Sequence, residues 1–191
     1  GSGFCLLLAL QICAFGLGHL SLEDAEMVNV TEFRNGMCLL TGAVNVITTS
    51  GATGRFGFTA SAVCSVTDNP PTLLVCMNRS SSSHCHFKDN GILSVNVLGG
   101  HHQEVSRAFS SRISMEERFT YGDWGTLETG APILGDALVS FDCRVQHMHD
   151  IGTHSIFFCE VEAIKMDDDA EHHGLIYFNR DYHQVGKLIH K

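Results

Sequence analysis

The chain has 191 residues, a length that suits one domain with a sizeable core. Hydrophobic residues make up 44% and charged residues 17%, a globular balance that excludes a disordered polymer. The formal charge is −9, from 12 Lys and Arg against 21 Asp and Glu, and no basic tract interrupts it, which argues against a nucleic-acid partner, since that needs clustered cations.

Phe4 to Leu20 is mostly apolar, but no Lys or Arg precedes it and it is short for a membrane span. Residues 1–20 are therefore read as an apolar leader or an appended segment without stable membrane insertion, and 21–191 as the folded domain. Ser21-Leu22-Glu23-Asp24 has the form of a capping box, which predicts a helix in one or two pieces to about Leu40. Val44 to Thr49 is rich in β-branched residues and predicts a strand. Ser50 to Gly54 reads as a hairpin loop, Phe56 to Val66 as one extended stretch, and Asp68-Asn69-Pro70-Pro71 as a turn. Thr72 to Met77 is a continuous apolar run that predicts a strand buried on both faces. Ser80 to Asn90 predicts a short helix, Ile92 to Leu98 a strand, and Gln103 to Arg112 a helix with Val105, Ala108 and Phe109 on one face. Ser114 to Pro132 reads as irregular. Ala137 to Gln146 and Phe157 to Ala163 alternate with period two, so each is a strand with one wet face. Leu175 to Phe178 is read as the last strand. Around seven strands with few helices predict a barrel closing on itself.

The eight cysteines include no C-x-x-C pair. Cys64, Cys76, Cys143 and Cys159 lie in apolar runs and read as small buried hydrophobes, which points to a reducing compartment and a cytoplasmic setting. His84-Cys85-His86 lacks a partner pair at zinc spacing, and His101-His102 and His172-His173 read as exposed loop pairs, so no metal site is expected. A dinucleotide G-x-G-x-x-G, a phosphate-loop lysine, H-E-x-x-H and G-x-S-x-G are all missing.

Two segments carry chemistry. Gly57 through Pro71 combines small residues and hydroxyls in an extended stretch, including Thr59, Ala60, Ser61, Ser65 and Val66. Small side chains let a flat ring approach the backbone; an ordinary Ser/Thr-rich strand edge is the other reading. Asn78-Arg79-Ser80-Ser81-Ser82-Ser83 follows the buried strand, where hydroxyls and N–H groups at a helix start suit an anion; a plain N-cap with a polar loop is the alternative.

Between Phe33 and His183 the ordered segments Phe33-Arg34-Asn35-Gly36-Met37, Ala43 to Thr49, Gly57 to Asn78, Ser94 to Leu98, Glu117-Arg118-Phe119, Gly152-Thr153-His154 and Gly174 to His183 resemble the short-chain NAD(P)H:flavin oxidoreductase family. That family includes the reductase component of 4-hydroxyphenylacetate 3-monooxygenase and the pyrimidine-utilisation flavin reductase. The resemblance implies a mainly β, FMN-binding split β-barrel of Greek-key type with a few short helices, working as a homodimer. It implies FMN or FAD as the flavin, NADH or NADPH as hydride donor to flavin N5, and a flavin-dependent monooxygenase component as the partner that receives the reduced flavin. By motif position Thr59, Ala60, Ser61, Ser65 and Val66 would face the isoalloxazine, and Asn78, Ser81 and Ser83 the ribityl-phosphate arm. Phe109 would cover the ring or the nicotinamide, His154 would sit beside the nicotinamide, and Tyr182 would close the pocket. Hydride transfer needs two stacked rings rather than an acid–base triad. A flavin-bound reductase of a corrin or ferric chelate, and a non-catalytic flavin-binding module, are the alternatives. The sequence departs from the family pattern in its apolar leader and at His84-Cys85-His86, where a proline is more frequent.

Overall fold

The computed structural model describes residues 28–168 and 173–186; the expected leader, the capping box at Ser21 and His172 lie outside the described residues. The chain divides into two units, Gly1–Asn35 and Gly36–Lys191. The described part of the first, residues 28–35, holds most of helix α1 (Val30–Met37), whose start is fixed by Asn29 Oδ1 accepting the Thr31 N–H at 2.8 Å.

The second unit is built from β1 (Gly42–Ala43), β2 (Asn45–Gly51), β3 (Gly54–Ala60), β4 (Val63–Asp68), β5 (Pro71–Asn78), α2 (His84–Asn90), β6 (Ile92–Val97), α3 (Gln103–Ser110), α4 (Met115–Arg118), β7 (Trp124–Thr126), β8 (Pro132–Leu134), β9 (Val139–Ile151), β10 (His154–Met166), β11 (Gly174–Phe178) and β12 (Asp181–Val185). Seven strands form one antiparallel sheet in the order β3-β2-β6-β9-β10-β5-β4. β3 and β4 are thus its two edges, yet only Ser61 and Ala62 separate them in sequence. Laid flat, seven strands span roughly 29 Å, whereas Ala60 and Val63 can stand at most about 11 Å apart. The sheet must curl until its edges approach. No ladder joins β3 to β4, so the expected closed barrel is corrected to a curled sheet that stays open at one seam.

The curl separates two cores. Ile47, Val75, Met77, Leu93, Val95, Cys143, Phe157 and Cys159 fill one, with Phe87 of α2 packed among them. Val44, Val46, Leu98, Phe109, Phe119 and Leu134 form the other, against α3. β2 supplies both, Val46 to one and Ile47 to the other, which explains its β-branched run. A separate three-stranded sheet, β1-β11-β12, joins the large one through the Val44 N–H on the Leu175 carbonyl at 2.9 Å.

Several expectations need correcting. The stretch Phe56–Val66 is two strands, because the chain crosses the seam at Ser61. β5 buries only Val75 and Met77; its other face carries half-exposed Thr72, Leu74 and Cys76. The segment expected to be irregular contains α4 and β7, the helix being capped by Ser114 Oγ accepting the Glu117 N–H at 3.1 Å. β9 and β10 run to 13 residues each, since they go on pairing with each other past the alternating apolar part. β12 was not expected; it turns back from β11 through Asn179 and Arg180, both with positive φ. Cys143 and Cys159 are buried, and burial pushes the Cys159 thiol up to about 12. Cys64 is exposed and Cys76 half-exposed, because they lie on the outer face of β4 and β5. His102 is buried rather than in an exposed loop.

Candidate functional site

The open seam makes a binding edge. The Leu98 N–H reaches the Val44 carbonyl at 3.0 Å, and antiparallel alternation then makes Val44 and Val46 bond toward β6. Asn45, Ile47 and Thr49 bond instead toward Ala60, Phe58 and Phe56. The Ser61 carbonyl accepts the Val63 N–H at 3.0 Å, whereas Gly57 and Thr59 turn their backbone groups off the free edge of β3. The Gly57 carbonyl is met there by Arg118, whose Nη1 donates to it at 2.9 Å and to the Phe109 carbonyl at 3.2 Å. Arg118 also donates to the Ser111 carbonyl at 2.7 Å, so one side chain fixes the end of α3 against the edge.

Farther along this edge lies a cavity of about 250 Å³ lined by Val44, Thr59, Ala60, Ser61, Ser110, Tyr177 and Tyr182. The Thr59 hydroxyl donates to the Ser106 carbonyl at 2.7 Å. Tyr182 and Ser106 share a hydroxyl–hydroxyl bond of 2.8 Å, and the Tyr177 and Tyr182 rings meet edge to face at 5.4 Å. Ser61 is pressed against β1: a Cβ on Gly42 would stand 3.0 Å from its own. The cavity thus has one wall of small residues with outward backbone groups, and another of two tyrosines.

A second, polar cluster forms where β5 ends opposite the start of β10, with Asn78 in register with His154. Asn78 Oδ1 accepts from both the N–H and the hydroxyl of Ser80 at 2.9 Å. Ser81 Oγ accepts the Ser83 N–H at 3.4 Å, and Ser83 is buried. His154 Nδ1 lies 2.9 Å from the Thr153 hydroxyl on the surface. His84 Nε2 lies 2.8 Å from Ser155 Oγ, which donates to Asp150 at 2.6 Å. That bond holds the Asp150 carboxyl below its ordinary range, against a smaller opposing effect of desolvation, and Arg79 adds to it from 3.6 Å. Arg79 is therefore paired with Asp150.

Of the residues singled out in the sequence, Thr59, Ala60, Ser61 and Tyr182 meet in the cavity, and Asn78, Ser81, Ser83 and His154 share the polar cluster. Ser65 and Val66 lie exposed on β4 and line neither. Phe109 is in the core, among Phe119 and Trp124 at 5.1 and 5.3 Å between ring centroids; its neighbour Ser110 faces the cavity instead. Sequence reasoning missed Val44, Ser110, Tyr177, His84, Ser155 and Asp150. Ser110 follows Ser106 by four residues and so shares its helix face, a signal that was readable. The link between His84, Ser155 and Asp150 joins distant segments and left none.

One further cluster needs a reading. His101, His102 and Asp136 place their ligand atoms within 4.8 Å of one another. His102 Nδ1, however, accepts the Gly99 N–H at 3.0 Å, which puts the ring proton on Nε2, 3.1 Å from Asp136. A protonated Nε2 is no metal ligand, so the trio is read as a structural pair beside a surface histidine.

The match of residues 37–186 to the flavin reductase like domain accounts for most of the chain. The FMN reductase (NADH) RutF of Pantoea ananatis is 53% identical over 167 residues, 87% of each chain. That of Agrobacterium fabrum is 54% identical over 151 residues, 79% of this chain and 86% of its own. Among solved structures, a Haemophilus somnus chain is 47% identical with a TM-score of 0.80, covering 83% of this chain and all (100%) of its own. A Mycobacterium thermoresistibile homologue of nitrilotriacetate monooxygenase component B is 27% identical with a TM-score of 0.77, covering 81% of this chain and 86% of that one.

Proposed function

This chain belongs to the flavin reductase-like domain family, and from that premise we propose that it oxidises NADH and reduces FMN in the cavity at the β3 edge, releasing the reduced flavin to a separate monooxygenase component. The observation that carries the reading is the convergence of Thr59, Ala60, Ser61 and Tyr182 on one cavity along the free edge of β3. Bound there, the flavin would accept hydride from the nicotinamide. The side chains present fit a flat ring system. Ala60 and Ser61 are small enough for close approach, and Tyr177 and Tyr182 offer aromatic surface. The outward backbone of Thr59 offers polar groups to the ring's edge. Ser106 holds both the Thr59 and the Tyr182 hydroxyls, so the cavity walls are positioned before any ligand arrives. Asn78, Ser81 and Ser83 are assigned to the phosphate arm and His154 to the nicotinamide, on the family pattern. Ser65 and Val66 keep a role only if a second copy of the chain brings them to the ring. Phe109 is assigned to support of α3 rather than to ring contact.

A homodimer follows from the same reading. The outer face of β4, β5 and β10 carries half-exposed Leu74, Cys76, Ile156 and Phe158, a surface that a second copy would cover. Buried, reduced Cys143 and Cys159 suit a reducing compartment, and we propose a cytoplasmic setting. No helix among the described residues is long and apolar enough to cross a membrane.

The test is NADH oxidation by the purified protein without flavin, with FMN and with FAD. Flavin-dependent oxidation, faster with FMN, is expected. Absence of oxidation with either flavin would overturn the reading, and a protein that purifies yellow yet turns over no NADH would favour the non-catalytic module.

A further inference from the structure

A second cavity, of about 450 Å³, adjoins the first along α3 and is lined by Glu104, Arg107, Ala108, Ser111, Ile113 and Tyr121. Residues 104, 107, 108 and 111 form one helical stripe, and Ser106 and Ser110 form the next, which faces the first cavity. Arg107 lies at the border of the two stripes. Its guanidinium stands 5.8 Å from the ring centroid of Tyr182, a wall of the first cavity. A ligand leaving the tyrosine wall along α3 would meet Arg107 first and Glu104 one turn beyond.

The lining matches one half of a dinucleotide group by group. Arg107 is exposed and takes part in no ion pair among the described residues, so its fork is open to a diphosphate. Glu104 is likewise exposed and without an ion pair there. An ionised carboxylate accepts both hydroxyls of a ribose and repels a phosphate in their place. Tyr121 and Ile113 provide surface for a flat base. We infer that this cavity takes the adenosine-diphosphate half of the dihydronicotinamide dinucleotide, and that Glu104 selects the form with a free 2′-hydroxyl. The inference rests on the reading that the first cavity holds the flavin and nicotinamide rings. A Glu in the first turn of α3 also suits the helix dipole, but that role is blind to the identity of the hydride donor.

The experiment uses flavin reduction by the full chain with three donors: NADH, NADPH and 1-benzyl-1,4-dihydronicotinamide, which lacks ribose, phosphates and adenine. Glu104→Lys is expected to lower the NADH-to-NADPH ratio of kcat/KM by at least about tenfold, the loss of a charge-assisted contact joined by a new attraction to the extra phosphate. Arg107→Ala is expected to raise KM for both dinucleotides about tenfold with little change in kcat. With the benzyl donor both variants should match the parent, which also reports that they fold. An unchanged NADH-to-NADPH ratio in Glu104→Lys, or an equal loss with the benzyl donor, would overturn the inference while leaving the flavin reductase reading intact. A parent protein that reduces flavin with none of the three donors would overturn both.

Discussion

Gly57 separates two explanations of the small-residue motif. In sequence it belongs to a stretch whose small side chains suit a flat ligand. In the structure the space above it is taken: a Cβ there would stand 2.5 Å from Phe109 Cε1 and 2.8 Å from Cδ1. The Phe109 ring cannot swing away, because Phe119 and Trp124 pack at 5.1 and 5.3 Å. Gly57→Ala therefore forces an overpacked core, which costs about 1–3 kcal/mol. For a chain of this size each kcal/mol lowers Tm by about 2–4 °C, so a drop of roughly 2–12 °C is expected in a calorimetric or circular-dichroism melt. The cost should fall in a Phe109→Leu background, where the ring is gone, and a double-mutant cycle reads that coupling. The flavin KM should be little changed as long as the protein is folded. A Gly57→Ala protein with parental Tm and a large rise in flavin KM would refute this account and return Gly57 to the ligand.

Ser61→Tyr should fill the cavity, whose volume is about 250 Å³, and raise the flavin KM sharply while Tm holds, as flavin titration and a melt would show; normal flavin binding would misplace the ring. Arg118→Ala removes donors to the carbonyls of Gly57, Phe109 and Ser111 and should cost about 2–4 kcal/mol in denaturant unfolding, with Arg118→Lys unable to restore it because an ammonium cannot span three carbonyls. His154→Ala should slow stopped-flow reduction or raise NADH KM without moving Tm, and unchanged values of both would remove His154 from the site. Burial lowers the His102 pKa, outweighing the attraction of Asp136, so the unfolded chain takes up a proton at higher pH than the folded one. Stability should then fall as pH drops below the unfolded value of about 6.5, and His102→Gln should flatten that slope in unfolding curves between about pH 7 and 5.

What the sequence made legible follows from which forces are local. β2, β6 and α3 were readable because their own residues carry the period and the propensity, and the Ala52–Thr53 turn because glycines bracket it. The seam was not. Nothing in Ser61-Ala62 announces that β3 and β4 are opposite edges of one sheet, since that depends on β9 and β10 pairing far along the chain. The candidate site inherits the same division. Thr59, Ala60 and Ser61 stand out as small and hydroxylated wherever they lie, whereas Tyr177 and Ser110 become cavity walls only once β11 and α3 are placed. Phe109 falls under the same division. An aromatic residue beside a ligand motif has two uses, contact or support, and the local sequence is identical for both. The packing of Phe119 and Trp124 around it favours support. The fold therefore assigns the motif's residues by direction along β3. Gly57 faces the helices and sets how closely α3 can approach, and Thr59 faces the seam and is tied to α3 through Ser106. Ser61 ends the strand where the cavity opens, so a change at Gly57 should reach the ligand only by way of α3.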